Sequence, residues 1–474
     1  MLVSINPNLA WTVAISLSMA SAAFIRPVIY PNGTIGVDVI QTGDRIVIPG
    51  DSNNPEEDEI DMGAFEFPLT KEDIAWLSSL LHLPEKGEIR TRKEYRVLTD
   101  TERQEFHLAL NILKNDTSVS LNKYDLLANI HSRSSANKAA HAGPGFLGWH
   151  RVFLLMIENA LRQACPNVTV PYWDVTLDQR LDKPYESVIW SKDFLGSGHG
   201  LVTDGPFNQW GTPFGFGHLQ RLIAAQGRLM ADSDVKKILS LRKLGDISYF
   251  SASADSNLEA LHNRVHVWVG GQMRKIEIGA FDPTFYILHS FVDKIWEDFR
   301  SIQRREGIDP QKDYPQFYGR TGHAPLAPLG LGSLVVLDGI SDIWGQRVQY
   351  RPQPTCKDTT SNLVCGSPYL RCNSEYKCVS VYKTEASALT FTSDHRKSPT
   401  NHYNNTMNWE NTTTFTSAPN YSPSIDSTTT SSVVNPDSTS QRSINKTARS
   451  YLSYLTIYNM YIHRFNISSH QTSI

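Results

Sequence analysis

Six histidines set the chemical question. His262 and His266, in "LHNRVH", stand four apart, so on a helix both imidazoles leave one face and can meet one metal ion. His289, in "DPTFYILHSFVD", follows on the next helical stretch. A second set lies upstream: His131 in "YDLLANIHS", then His141 and His150 at the two ends of "HAGPGFLGWH". Any one of the 15 histidines taken alone is more often a hydrogen-bonded core residue than a ligand. Three plus three on neighbouring elements point instead to two metal sites. Imidazole without thiolate or carboxylate suits Zn, Cu, Fe or Ni. A zincin needs its general-base Glu directly after the first His of H-E-x-x-H, and Asn263 stands there. Facial-triad iron needs a carboxylate in each set. Two all-histidine sites in a helical bundle therefore read most naturally as copper.

Such ligands need rigid elements to hold them. "TDTERQEFHLALNILKN" opens on a Thr99 or Asp100 cap, carries acids in its first turn and sets Phe106, Leu110 and Leu113 on one face. "HRVFLLMIENALRQA" places Leu154, Ile157 and Leu161 at helical spacing after His150. "SNLEALHNRVHVWV" and "PTFYILHSFVDKIWEDFRSIQRR" complete a set of four amphipathic helices, separated by long stretches rich in Gly and Pro. The pattern predicts a mainly α fold: a four-helix bundle holding a dinuclear centre, with long loops and a disordered tail. Along the chain it predicts a signal peptide over 1–22, an N-terminal extension over 23–84 and a metal-binding domain over 85–350. A Cys-rich module over 351–383 and a Ser/Thr/Asn-rich tail over 384–474 follow.

With 474 residues, 40% of them hydrophobic, the chain can bury a large core without disulfides. A formal net charge of -3 offers no basic face for nucleic acid or anionic membrane, so small neutral partners are expected. "NPNLAWTVAISLSMASAAF", ending in the A-x-A pattern of Ala20, Ser21 and Ala22, reads as a secretory signal. No Lys or Arg precedes the apolar run, which leaves a membrane anchor as the alternative. Eight N-x-[ST] sequons, at Asn32, Asn115, Asn167, Asn404, Asn411, Asn420, Asn445 and Asn466, fit a secreted glycoprotein. Cys356, Cys365, Cys372 and Cys378 lack the C-x2-C spacing of a zinc ribbon and read as two disulfides, leaving Cys165 over. The closing "YLSYLTIYNMYIHRF" is too interrupted by polar groups to span a bilayer.

His141, Phe146, Trp149, His150, Arg151, Leu154 and Glu158 together resemble the copper A signature of the tyrosinase and hemocyanin family. Asp282, Pro283, Phe285, His289 and Asp293 resemble its copper B signature. The stretches "RKEYRVLT", "VPYWDVTLD" and "DGPFNQW" are also similar to the family, so the resemblance covers roughly residues 85–350. It implies that His131, His141 and His150 hold copper A and that His262, His266 and His289 hold copper B. It implies further that O2 is the co-substrate and that a secreted enzyme converts monophenols and o-diphenols to o-quinones. Melanin formation or quinone cross-linking through tyrosyl and dopa side chains would follow. Glu259 and Asn263 match the pair that holds a proton-accepting water in members active on monophenols. Arg151 and Glu158 would support the helix, and Asp293 would accept a hydrogen bond from a ligand imidazole. Ala139 stands where many members carry a Cys joined to the second copper A ligand, so no thioether can form. The same resemblance covers a catechol oxidase without monophenolase activity, a hemocyanin-like oxygen carrier and a matrix protein that keeps only the fold.

Overall fold

A computed structural model of the chain describes residues 65–386, apart from 86, 134–137, 317 and 360–361, together with the backbone of the strands β1 (Ala23–Ile29) and β2 (Ile35–Gln41). The expected signal peptide, the tail from residue 387 and the sequons at Asn32, Asn404, Asn411, Asn420, Asn445 and Asn466 lie outside the described residues.

The expected mainly α fold is present, and its longer helices run in chain order from α1 to α7. They are α1 (Lys71–Ser79), α2 (Asp100–Asn115), α3 (Lys123–Ser132), α4 (Phe146–Ala164), α5 (Asp232–Ser240), α6 (Leu258–Val269) and α7 (Thr284–Arg305). Local chemistry explains where they begin. Thr99 and Glu102 form a reciprocal capping box at the head of α2. Asn122 caps α3 by accepting from the Asp125 amide at 2.8 Å, and Asn257 caps α6 through the Ala260 amide at 3.0 Å. At α7 the Asp282 carboxylate accepts from the Thr284 amide at 2.9 Å while Arg221 grips the same group with two bonds of 2.8 Å.

Helix α4 is the axis of the fold. Every residue from Phe146 to Leu161 is buried, so it is packed on all sides rather than along one stripe. The polar side chains at its C-terminal end survive there because they are paired. Glu158 takes Arg92 at 2.8 Å and the Val170 amide at 3.0 Å, and Asn159 donates to the carbonyls of Leu80 and His82. Gly148 marks a backbone contact: a Cβ on it would lie 2.8 Å from the carbonyl carbon of Gly339, so only glycine lets those two segments meet. Around α4 pack α2, α7 and the short helix Val336–Gly339.

Strands are few and short. Arg90–Arg92 pairs in parallel with Val348–Tyr350, which brings Tyr350 from the far end of the domain to the side of α7. The packed core also begins earlier than residue 85, because Phe65, Leu77 and Leu80 are buried in it. The Cys-rich segment docks on this core. Cys356 pairs with Cys372 and Cys365 with Cys378, and Leu177 packs among Cys365, Leu370 and Cys378. Cys165 is free and partly buried.

Candidate metal centre

All six histidines are brought together, on four elements and one loop. His131 ends α3, His150 sits one turn into α4, His262 and His266 share a face of α6, and His289 lies near the start of α7. His141 comes from the turn before α4. The helix expected from periodicity over residues 99–115 exists but carries none of the six histidines. The His131 helix is a separate element that packs against it.

The rings form two triads. His131, His141 and His150 place one nitrogen each within 4.8 Å of one another, as do His262, His266 and His289. In the second triad the His289 Nε2 lies 3.0 Å from the His262 Nε2 and 3.3 Å from the His266 Nε2. The triads face each other: the His150 and His289 rings stack with centroids 4.2 Å apart and planes 11° from parallel. Phe146 lies 4.5 Å from the His150 ring and 5.2 Å from that of His262, while Phe285 lies 4.0 Å from His289 and 4.8 Å from His131. Both phenyl rings therefore wall the space shared by the two sets, and Trp149 closes the side of His131 and His150.

Three carbonyls orient the rings. The Nδ1 of His150 donates to Phe146 at 2.9 Å, that of His262 to Glu259 at 3.2 Å and that of His266 to Met273 at 2.7 Å. A carbonyl can only accept, so Nδ1 carries the hydrogen and Nε2 keeps a lone pair for the centre. Lone pairs that converge in this way repel one another unless a cation lies between them. The His150 Nε2 is buried without a hydrogen-bond partner, a cost that metal ligation removes. Burial also keeps the rings neutral. It takes His131 down to about 3, helped by the nearby His266, and His266 to about 4. His141, His150, His262 and His289 are held well below the usual histidine range, burial being the main cause in each. Six buried, neutral, all-nitrogen donors fit two copper ions.

Glu259 and Asn263 stand one turn apart on α6, on the side that bears His262. Glu259 Oε1 accepts from the Ala142 amide at 2.7 Å, whereas Oε2 is buried and has no partner. Burial pushes this carboxyl up to about 8, against the pull of the Ala142 and Gly143 amides. Asn263 is half-buried.

One expected contact is corrected. Asp293 does not accept from a ligand imidazole: its carboxylate takes Arg151 at 2.7 Å and the Tyr350 hydroxyl at 2.5 Å, and the His289 Nδ1 has no partner. A guanidinium and a phenol offer stronger donors than a neutral ring. His323, in contrast, has no ligand-like spacing in the sequence. The fold buries it against the turn that holds His141, with its Nε2 at 2.9 Å from the His141 carbonyl.

The family described as the common central domain of tyrosinase matches residues 121–302, an interval that encloses all six histidines. The tyrosinase-like protein tyr-3 of Caenorhabditis elegans is 33% identical over 320 residues, 63% of this chain and 44% of that one. The chain thus spans less than half the length of that relative. Tyrosinase-like protein 2 of Margaritifera margaritifera is 33% identical over 346 residues, 66% of this chain and 74% of the relative. The tyrosinase of Streptomyces lincolnensis is 33% identical over 250 residues, 47% of this chain and 87% of that enzyme. Agreement at this level over most of two such relatives, across the interval that carries both triads, shows that the chain belongs to the tyrosinase family of type-3 copper proteins.

Proposed function

We propose that this chain is a tyrosinase: it hydroxylates monophenols and oxidises o-diphenols to o-quinones with O2, using two copper ions. The observation that carries this reading is the pair of facing, buried histidine triads. His131, His141 and His150 would hold one ion, and His262, His266 and His289 the other. When bound, the coupled pair supplies the two electrons that O2 activation requires.

The residues of the chain do the rest. Phe146 and Phe285 present ring faces and edges against which a phenol can pack, and they keep bulk water from the shared space. A monophenol must lose its hydroxyl proton before it can be hydroxylated. A water held between Glu259 and Asn263 would take that proton, with the unpartnered Glu259 Oε2 as its acceptor. Deprotonated Glu259 is the active form, so monophenol turnover rises as this carboxyl ionises.

Secretion is part of the proposal. It is supported by the two disulfides and by the exposed sequon residues Asn115 and Asn167. The quinones would feed pigment formation or cross-link tyrosyl and dopa side chains of neighbouring proteins. Among the described residues no helix is long and apolar enough to cross a membrane.

Oxygen uptake by the copper-loaded chain, followed with tyrosine and with a catechol in parallel, tests the reading. Uptake with both is expected. Uptake with catechol alone would reassign the chain as a catechol oxidase, and two bound coppers that turn over neither would favour a carrier.

A further inference from the structure

His323 lies outside both triads and outside every helix that bears a ligand, yet its side chain is fully buried. Its ring spans the turn of the first triad. Nε2 lies 2.9 Å from the His141 carbonyl oxygen, and the Gly145 amide donates to Nδ1 at 3.3 Å. A carbonyl only accepts and a backbone amide only donates. The two bonds together assign one neutral tautomer, with the hydrogen on Nε2.

The turn so bridged joins a ligand to the head of the helix bearing the next ligand, since Gly145 is the cap residue of α4. It is also an unfavourable turn. Ala142 has φ 58°, a left-handed conformation that an L-residue with a Cβ avoids. Such a residue persists only where its surroundings over-determine it. Glu259 holds the Ala142 amide at 2.7 Å from one side, and His323 holds both ends of the turn from the other. Gly143 admits the ring: a Cβ there would lie 2.2 Å from the His323 Cδ2. His323 is itself anchored, its amide donating to the Arg320 carbonyl at 3.0 Å and its carbonyl accepting from the Tyr314 hydroxyl at 2.7 Å.

We propose that His323 is a positioning residue of the first triad: by pinning the His141–Gly145 turn it fixes how His141 and His150 meet one metal ion. The proposal rests on the copper reading above. It concerns the backbone that presents the ligands, and no proton is exchanged with the centre.

Copper affinity of the full chain, measured by competition with a chelator in two single-triad backgrounds, tests it. His266→Ala leaves the first triad intact, and His131→Ala leaves the second. In the His266→Ala background, His323→Phe is expected to weaken copper by roughly 10–100-fold, the usual effect of removing a group that orients a ligand. His323→Gln, whose amide nitrogen reaches the position of Nε2, should recover most of that loss. In the His131→Ala background, His323→Phe should leave copper affinity within about twofold. An equal loss in both backgrounds would show a general structural role and overturn the proposal, as would no loss in either. If His323→Phe does not fold, Gln and Asn decide. Asn reaches only the position of Nδ1, so it should bind copper more weakly than Gln at the first triad, and equal affinity overturns the proposal. Failure of both single-triad parents to bind copper would overturn the copper reading itself, and the proposal with it.

Discussion

Glu259 serves two demands with one carboxyl. One oxygen holds the Ala142 amide, and through it the turn that carries His141, while the other is buried without a partner. Burial raises the carboxyl to about 8, so near neutrality it exchanges a proton with little driving force either way. Replacing it by Gln keeps an acceptor for Ala142 and removes the basic site. For Glu259→Gln, monophenol oxygen uptake is expected to fall ~100-fold or more while catechol uptake falls less than ~10-fold, a split read directly from parallel uptake traces. Equal losses on both substrates would assign Glu259 to the fold alone. Asp293 teaches the complementary lesson. It stands one turn after His289, yet it is spent on Arg151 and Tyr350 and ties elements together instead of orienting a ring.

Those elements are the two helices that bear His150 and His289. Arg151 follows His150 on α4 and reaches Asp293 and Glu297 on α7, at 2.7 and 2.9 Å, with its side chain almost fully buried. These ion pairs therefore set the two helices against each other, one turn beyond His289 along α7. Removing Arg151 takes from the buried Asp293 its nearest cation but leaves it Arg92 at 3.6 Å and the Tyr350 hydroxyl, so the loss costs about 1–3 kcal/mol. Arg151→Met should lower unfolding stability by that amount in urea titrations, and a loss below ~1 kcal/mol would show that the pair does not hold the helices. The disulfide segment is a second such tie. Cys356 and Cys372 are 16 residues apart, so opening their bond in a Cys356→Ala, Cys372→Ala variant should cost ~3 kcal/mol, seen as a lowered melting temperature.

Across the whole molecule, burial of neutral histidines makes the metal-free chain acid-sensitive. His107 and His131 are lowered to about 3 and His266 and His323 to about 4, burial leading in each case. Their folded pKa values lie below the unfolded value of 6.5, so the unfolded chain binds more protons than the folded one as pH falls. Their contribution to stability is complete above pH 6.5 and is lost as pH falls from there towards 4 and then 3. Each group contributes a slope of roughly 1.4 kcal/mol per pH unit within its window. The melting temperature of the metal-free chain is expected to drop steeply below pH 6, and a flat profile down to pH 4 would contradict the buried, neutral triads.

The helices were legible because their signals are local. The i, i+4 spacing of His262 and His266, the Thr99 and Glu102 cap and the apolar stripe through Leu154, Ile157 and Leu161 all act within a turn or two of backbone. Residue types alone pointed to nitrogen ligation, and the four clustered cysteines to two disulfides, although not to their pairing. What depended on chain closure could not be read in this way. Periodicity marked residues 99–115 strongly, but the first of the six histidines comes from the shorter α3, whose every residue from Tyr124 to Ser132 is buried and which shows no clear stripe. Helical spacing set Asp293 near His289, and only the packing of α4 against α7 placed Arg151 in between as the better donor. His323 approaches the His141 turn from 182 residues away, and nothing in "GRTGHAPL" announces it. Propensity and ligand chemistry are properties of short segments and survive in the sequence. The partner of a buried hydrogen bond is chosen by which distant segments the core brings into contact, and only the tertiary structure makes that choice.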